Sequence, residues 1–184
     1  MPNVLFISEV RLKALTAIHD NVEPNDLMPY VLMAQDIYIQ DTLGTTYYNN
    51  LKTSVSGSTL NSYEVTLIDD YISPTLANYA LYLALPNLTY KAKNKAVVQP
   101  TSEESTSIGL EEIKYLRGTV LDTAQFYQER TKDYLKEFSI HFVGYNNYNV
   151  NAMAPNKGRQ YSHGIVIPSP YGCGLFPNNP DPNS

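Results

Sequence analysis

Near Gly144 the chain changes character. Ahead of that point apolar residues recur at three- and four-residue spacing, the period of helices that bury one face. Beyond it stand Asn, Pro, Gly, Ser and Tyr with almost no charge, as in Tyr145-Asn146-Asn147-Tyr148-Asn149 and Pro177-Asn178-Asn179-Pro180-Asp181-Pro182. That composition does not support helix. The division predicts an all-α domain over residues 1–143, a compact bundle of about five helices, and an extended, mostly non-regular arm over 144–184.

Punctuation within the first part sets the elements. Ser8 reads as an N-cap with Arg11 at N3, an incomplete capping box. Pro24 and Asp26 open a helix carrying Leu27, Tyr30, Val31, Ala34, Ile37 and Tyr38, and Gly44 closes it. Thr45 or Thr46 starts a short helix through Tyr47, Tyr48 and Leu51, and another runs from about Asn61 to Tyr71. Ser73-Pro74 reads as a cap and restart, opening a helix apolar on most faces that Pro86-Asn87 stops. After a polar connection, with Val97-Val98 as a short extended piece, the longest helix carries a core stripe of Ile113, Leu116, Val120, Ala124, Tyr127, Thr131, Tyr134 and Phe138. Its other face, with Lys114, Arg117, Glu129, Arg130, Lys132, Asp133 and Lys136, reads as solvated.

Composition narrows the function. A chain of 184 residues is one domain plus an arm. The single cysteine, Cys173, forms no internal disulfide, which fits a reducing compartment. No stretch approaches the ~20 apolar residues that cross a bilayer, and Met1-Pro2-Asn3-Val4 lacks the basic start of a secretory signal, so no membrane role is expected. The net charge is -5, and residues 1–70 set nine carboxylates against Arg11, Lys13 and Lys52. With a basic run only at Lys91, Lys93 and Lys95, sequence-specific DNA binding is not expected. An acidic wall still suits a channel along which DNA slides. The sixteen tyrosines suit either interfaces or a wet core edge.

Candidate chemistry is sparse. His19, His141 and His163 are far apart and lack metal-ligand spacing. Cys173 lies late in the arm without an evident base. Asp69-Asp70 and Glu111-Glu112 are neighbours in sequence, and adjacent helical residues do not share a face. No phosphate-binding glycine loop stands in the chain. The expectation is a non-enzymatic protein with no catalytic residues, cofactor or metal. The residues expected to meet other proteins lie in the arm: Tyr145, Tyr148, Tyr161, the strand-like island Ile165, Val166 and Ile167, then Tyr171 and Phe176. A chain cut after about residue 143 is then expected to fold yet fail to join its assembly. The competing reading is a terminus without fixed structure.

Phe6-Ile7-Ser8-Glu9, Asn21-Val22, Leu27, Ala34-Gln35-Asp36-Ile37-Tyr38-Ile39-Gln40 and Leu43-Gly44-Thr45 together carry a resemblance. The pattern resembles the small helical head–tail connector (adaptor or ring) proteins of tailed bacteriophages, most closely those of crAss-like phages, over roughly residues 5–140. These are packing and capping patterns rather than chemical motifs. The resemblance implies a homo-oligomeric ring, usually of twelve copies, in the virion neck. Such a ring docks under the portal protein, extends the DNA channel and offers the tail or a neighbouring ring its seat, after assembly in the host cytoplasm. The arm after residue 144 departs from the shortest members and leaves open which neck ring this would be. A tail-completion or tail-terminator ring is the alternative.

Overall fold

The computed structural model describes residues 4–16, 18, 22–89, 91–93, 96–98, 110–147, 149 and 151–158. The fold is an all-α compact bundle. Helix α1 (Glu9–Leu15) starts as its sequence dictates: the Ser8 hydroxyl accepts from the Arg11 amide at 3.2 Å. Helix α2 (Pro24–Ala34) begins on proline, then widens into a π-helical segment, Gln35–Ile39, and closes as α3 (Gln40–Leu43). The wide turn shows in the bond from the Gln40 amide to the Gln35 carbonyl, five residues back. Gly44, at φ +72°, breaks the rod, and α4 (Thr45–Gly57) follows at once. Helix α5 (Ser62–Thr66) has a full capping box, Asn61 and Glu64 bonding each other's backbone amides.

The Ser73-Pro74 restart expected from sequence is not there. Helix α5 passes through a second π segment, Leu67–Ile72, straight into α6 (Ser73–Thr89), and Ser73 itself is helical. Pro86 likewise sits inside α6 rather than ending it. Both exceptions have the same physical remedy. In the π register Pro74 leaves the Asp69 carbonyl without an amide partner, and Arg11 Nη2 of α1 donates to that oxygen at 3.3 Å. Pro86 leaves the Tyr82 carbonyl without one, and Arg117 Nε donates there at 3.3 Å. An arginine from another helix replaces each bond that a proline removes.

Beyond α6, a short hairpin pairs β1 (Lys91–Lys93) with β2 (Ala96–Val98), which includes the extended piece expected at Val97-Val98. Helix α7 (Leu110–Glu137) is the longest of the described elements, and a 3-10 turn, Ser139–His141, follows.

Helix α6 is the axis. Leu76, Ala77, Tyr79, Ala80 and Ala84 are buried, and α1, α2 and α7 all pack on it. Stacked rings tie the layers: Tyr38 on Tyr79 at 3.7 Å and Tyr71 on Tyr134 at 4.3 Å between centroids. A buried polar thread crosses them too. The Tyr79 hydroxyl donates to Gln128 Oε1 at 2.6 Å, and Gln128 Nε2 donates to Thr42 Oγ1 at 2.9 Å. Closed off from water, each of these groups needs its partner.

The core face of α7 is partly as read. Ile113, Ala124, Thr131 and Tyr134 are buried, but Leu116 is 44% exposed, a correction to the expected stripe. Lys132, read as solvated, is buried. Its amine is held by Glu129 at 3.0 Å and by the Gly158 carbonyl at 2.6 Å.

Candidate functional site

Residues 142–147, 149 and 151–158 form a strap over the corner between α3 and α4. Phe142 and Tyr145 are buried against Tyr47, with ring centroids 5.6 and 6.2 Å away. Asn50 Nδ2 donates to the Val143 carbonyl, and the Asn149 amide donates to Thr46 Oγ1. The Thr45 amide donates to the Met153 carbonyl, and Pro155 is buried on Gly44. Asn156 grips Asp41 twice, backbone to carbonyl and side chain to carboxylate, both at 2.9 Å. Lys132 then holds Gly158. The described chain thus stays on the helical body well past Gly144. Of the residues expected to meet other proteins, Tyr145 lies in the chain's own core. Tyr148, Tyr161, Ile165, Val166, Ile167, Tyr171 and Phe176 lie outside the described residues.

A second fastening holds the other end. Gln35 accepts from the Phe6 amide at 2.9 Å and donates to the Val4 carbonyl at 2.9 Å and the Tyr48 hydroxyl at 3.1 Å. The Tyr48 hydroxyl donates to Asp36 at 2.7 Å. Burial, then that bond, pushes the Tyr48 hydroxyl well above the ordinary tyrosine range. Gln35 is on the first π segment, where the wide turn delivers an amide inward among apolar neighbours.

Most described tyrosines serve the core or its edge, and among them Tyr115 alone is exposed. It stands 79% exposed on α7 with Leu116 at 44% and Phe126 at 61%. A second apolar surface lies on α2 and its π extension, where Met33 and Ile37 are about half exposed. Beside it Leu5, Met28, Pro29 and Leu32 line an open groove of about 470 Å³. Sequence periodicity assigned Leu116 to the core and passed over Tyr115 and Phe126. The signal that would have found them is their eleven-residue spacing, which repeats on one line of a helix.

An open cleft is lined by Ser8, Arg11, Asp69, Asp70 and Ser73, and the guanidinium there is engaged with the Asp69 carbonyl. His141 stacks on Tyr63 at 3.8 Å, while His19, His163 and Cys173 lie outside the described residues. Glu111 pairs with Lys114 in the first turn of α7, where a carboxylate also suits the helix dipole. Among the described residues no group of three or more His, Cys, Asp or Glu is placed to hold a metal ion. No described helix is long and apolar enough to cross a membrane.

The fold and these surfaces define a helical domain with both ends of the described chain fastened to its body and two apolar faces turned outward. Residues 39–154 match the model of DUF6712, a family of unknown function, and the chain belongs to that family. No curated protein and no solved structure matches it.

Proposed function

We propose that this chain is a structural subunit of a homo-oligomeric ring in the neck of a tailed bacteriophage. It docks under the portal, extends the DNA channel and joins head to tail, without enzymatic activity or cofactor. The observation that carries this reading is the set of large apolar side chains presented to solvent on α7, Tyr115, Leu116 and Phe126, on an otherwise well-packed bundle. Exposed aromatic side chains of this kind suit protein contacts. The connector-like pattern from Phe6 to Thr45 supplies the setting. The excess of carboxylates over cations in residues 1–70 suits a wall past which DNA moves without being held.

Imaging the isolated neck with the chain labelled tests it. Twelve copies in a ring beneath the portal is the expected result. Six copies would favour the tail-completion or tail-terminator ring, and absence of the label from the neck would overturn the reading. The purified chain is also expected to show no tight, salt-dependent duplex binding, the signature of phosphate contacts.

A further inference from the structure

The strap over the α3–α4 corner is bonded to itself as well as to the body. Lys157 Nζ donates to Asn146 Oδ1 at 2.8 Å and lies 4.7 Å from the centre of the Tyr145 ring. The Ala152 amide donates to the Asn149 carbonyl. The Asn151 and Gly158 amides donate to the side chains of Asn149 and Asn156. A loop closed by its own contacts carries part of its shape with it.

The surface that receives it is one short stretch of chain. Asp41 holds Asn156, the Thr45 amide holds Met153, and Thr46 Oγ1 holds Asn149. Pro155 sits on Gly44, and Tyr145 packs on Tyr47. All of these partners lie in residues 41–47, and Lys132 adds its hold on Gly158. A backbone donor, a backbone acceptor and pockets for single side chains are how peptides in general are bound. Between body and strap stands one tight turn. The Tyr145 amide donates to the Phe142 carbonyl at 3.1 Å, with Val143 and Gly144 between them. Val143 is 78% exposed, and Gly144 is at φ +97°. A Cβ on Gly144 would lie 2.8 Å from Asn50 Nδ2. The turn that folds the strap back on its own body therefore depends on one glycine. Opened there, the chain would carry the strap away with its docking groups intact.

We infer that the strap is exchangeable between copies: residues 41–47 of one chain receive the strap of a second, through the contacts seen within one chain. The closed and exchanged forms share those contacts and differ at the turn. What separates them is the conformation of Val143 and Gly144 and the concentration of copies. A strap on so short a tether competes for its own site at an effective concentration on the order of millimolar. Dilute chains therefore stay closed, and copies held side by side exchange. Reciprocal exchange gives a pair, and one-way exchange repeats until it closes as a ring. The inference deepens the proposed function by naming a joint between neighbouring subunits. It rests on that reading for the crowding of copies, while exchange itself is a property of the purified chain.

Two experiments on the full chain test it. Tyr145→Ser with Asn156→Ala loosens the strap and leaves residues 41–47 as they are. A labelled peptide with the sequence of residues 145–158 is expected to bind this variant saturably in fluorescence anisotropy and to raise its thermal unfolding midpoint. The same peptide carrying both substitutions should do neither. The wild-type chain, with its site filled, should take up the native peptide more than about ten-fold more weakly. In the second experiment, Gly144→Val keeps the docking groups but disfavours φ +97°. In dilute solution the wild-type chain is expected to sediment as a 20.7 kDa monomer. Gly144→Val at the same concentration should form species of two or more copies, which excess peptide returns to monomers. A loosened variant that the peptide neither binds nor stabilises would overturn the inference. So would a Gly144→Val chain that stays monomeric, or larger species that the peptide leaves unchanged. If Gly144→Val is insoluble, the peptide experiment decides alone. Exchange by a chain that the neck does not contain would leave the joint standing and remove the neck reading. Failure of exchange would leave the neck reading to its own test.

Discussion

A Cβ placed on Gly44 would lie 2.7 Å from both the Cδ and the backbone nitrogen of Pro155, so the corner between α3 and α4 has room for a glycine and nothing wider. The backbone there, φ +72° and ψ 151°, is also in a region that other residues scarcely enter. Gly44→Ala is expected to destabilise the fold by at least about 1–3 kcal/mol from backbone strain alone. Urea unfolding would register this as a lower midpoint. Hydrogen exchange should also show early loss of protection at the Thr45 and Asn156 amides, the two bonded across the corner.

Arg117 and Pro86 are predicted to be coupled. With Pro86 present, losing the Arg117 guanidinium leaves the Tyr82 carbonyl without a donor, so Arg117→Met should cost on the order of 1 kcal/mol. Arg117 also lies over the Tyr82 ring at 4.2 Å, and that contact goes too. In a Pro86→Ala background the helix supplies its own amide, and the same substitution should cost less. A double-mutant cycle on thermal or urea stability measures the difference, and a zero coupling energy would show that the arginine is not replacing the lost bond.

Gln35→Leu removes the partner of the Phe6 amide and of the Val4 carbonyl at once. Leaving a buried group unpaired costs about 1–3 kcal/mol. The expected result is a loss of stability in that range, with faster amide exchange at Phe6 than in α1. An unchanged Phe6 amide would mean that the segment ahead of α1 is held by packing alone.

Buried tyrosines predict a fall in stability at alkaline pH. Burial pushes the Tyr145 hydroxyl up to about 12, and it raises Tyr47, Tyr48 and Tyr79 further. In the unfolded chain these groups release protons near pH 10. Above that pH the unfolded state binds fewer protons than the folded one, so stability is whole below pH 10 and declines as pH rises. Tyr145→Phe should flatten the decline between pH 10 and 12, measured as the change in unfolding midpoint against pH. An equal slope in both proteins would show that the Tyr145 ring is wet in solution.

The chain length needed for folding is a further expected outcome. Composition alone placed the end of the folded body near residue 143, yet Tyr145 and Pro155 are buried beyond it. A chain ending at residue 143 is expected to lose about 3 kcal/mol or more, the scale for emptying a large aromatic site. One ending at residue 158 keeps the strap contacts and should unfold at clearly higher urea.

Residues that act locally were legible. Ser8 caps because its hydroxyl bonds three residues on, and Gly44 ends a helix because of its own φ. Residues whose role depends on a distant partner were not. Ser73-Pro74 has every local mark of a helix start, and only Arg11, more than sixty positions away, makes a continuous helix tolerable there. Lys132 sits on the charged side of its helix by period, but the strap returns to cover it. The outward faces were hidden for a related reason. Apolar period reports that a side chain is apolar, and burial on α7 is decided by what α6 reaches: Ile113 is covered and Leu116 is not.

The two π segments each hold one residue more than an α-helix needs to reach the same place. Such a turn tolerates no shortening. Deleting a single residue between Gln35 and Ile39 would restore ordinary winding and leave the downstream helix in register, but it would remove the wide turn that brings the Gln35 amide to Phe6 and Val4. Insertions and deletions in relatives should therefore spare these two short stretches and gather in the linkers between rods.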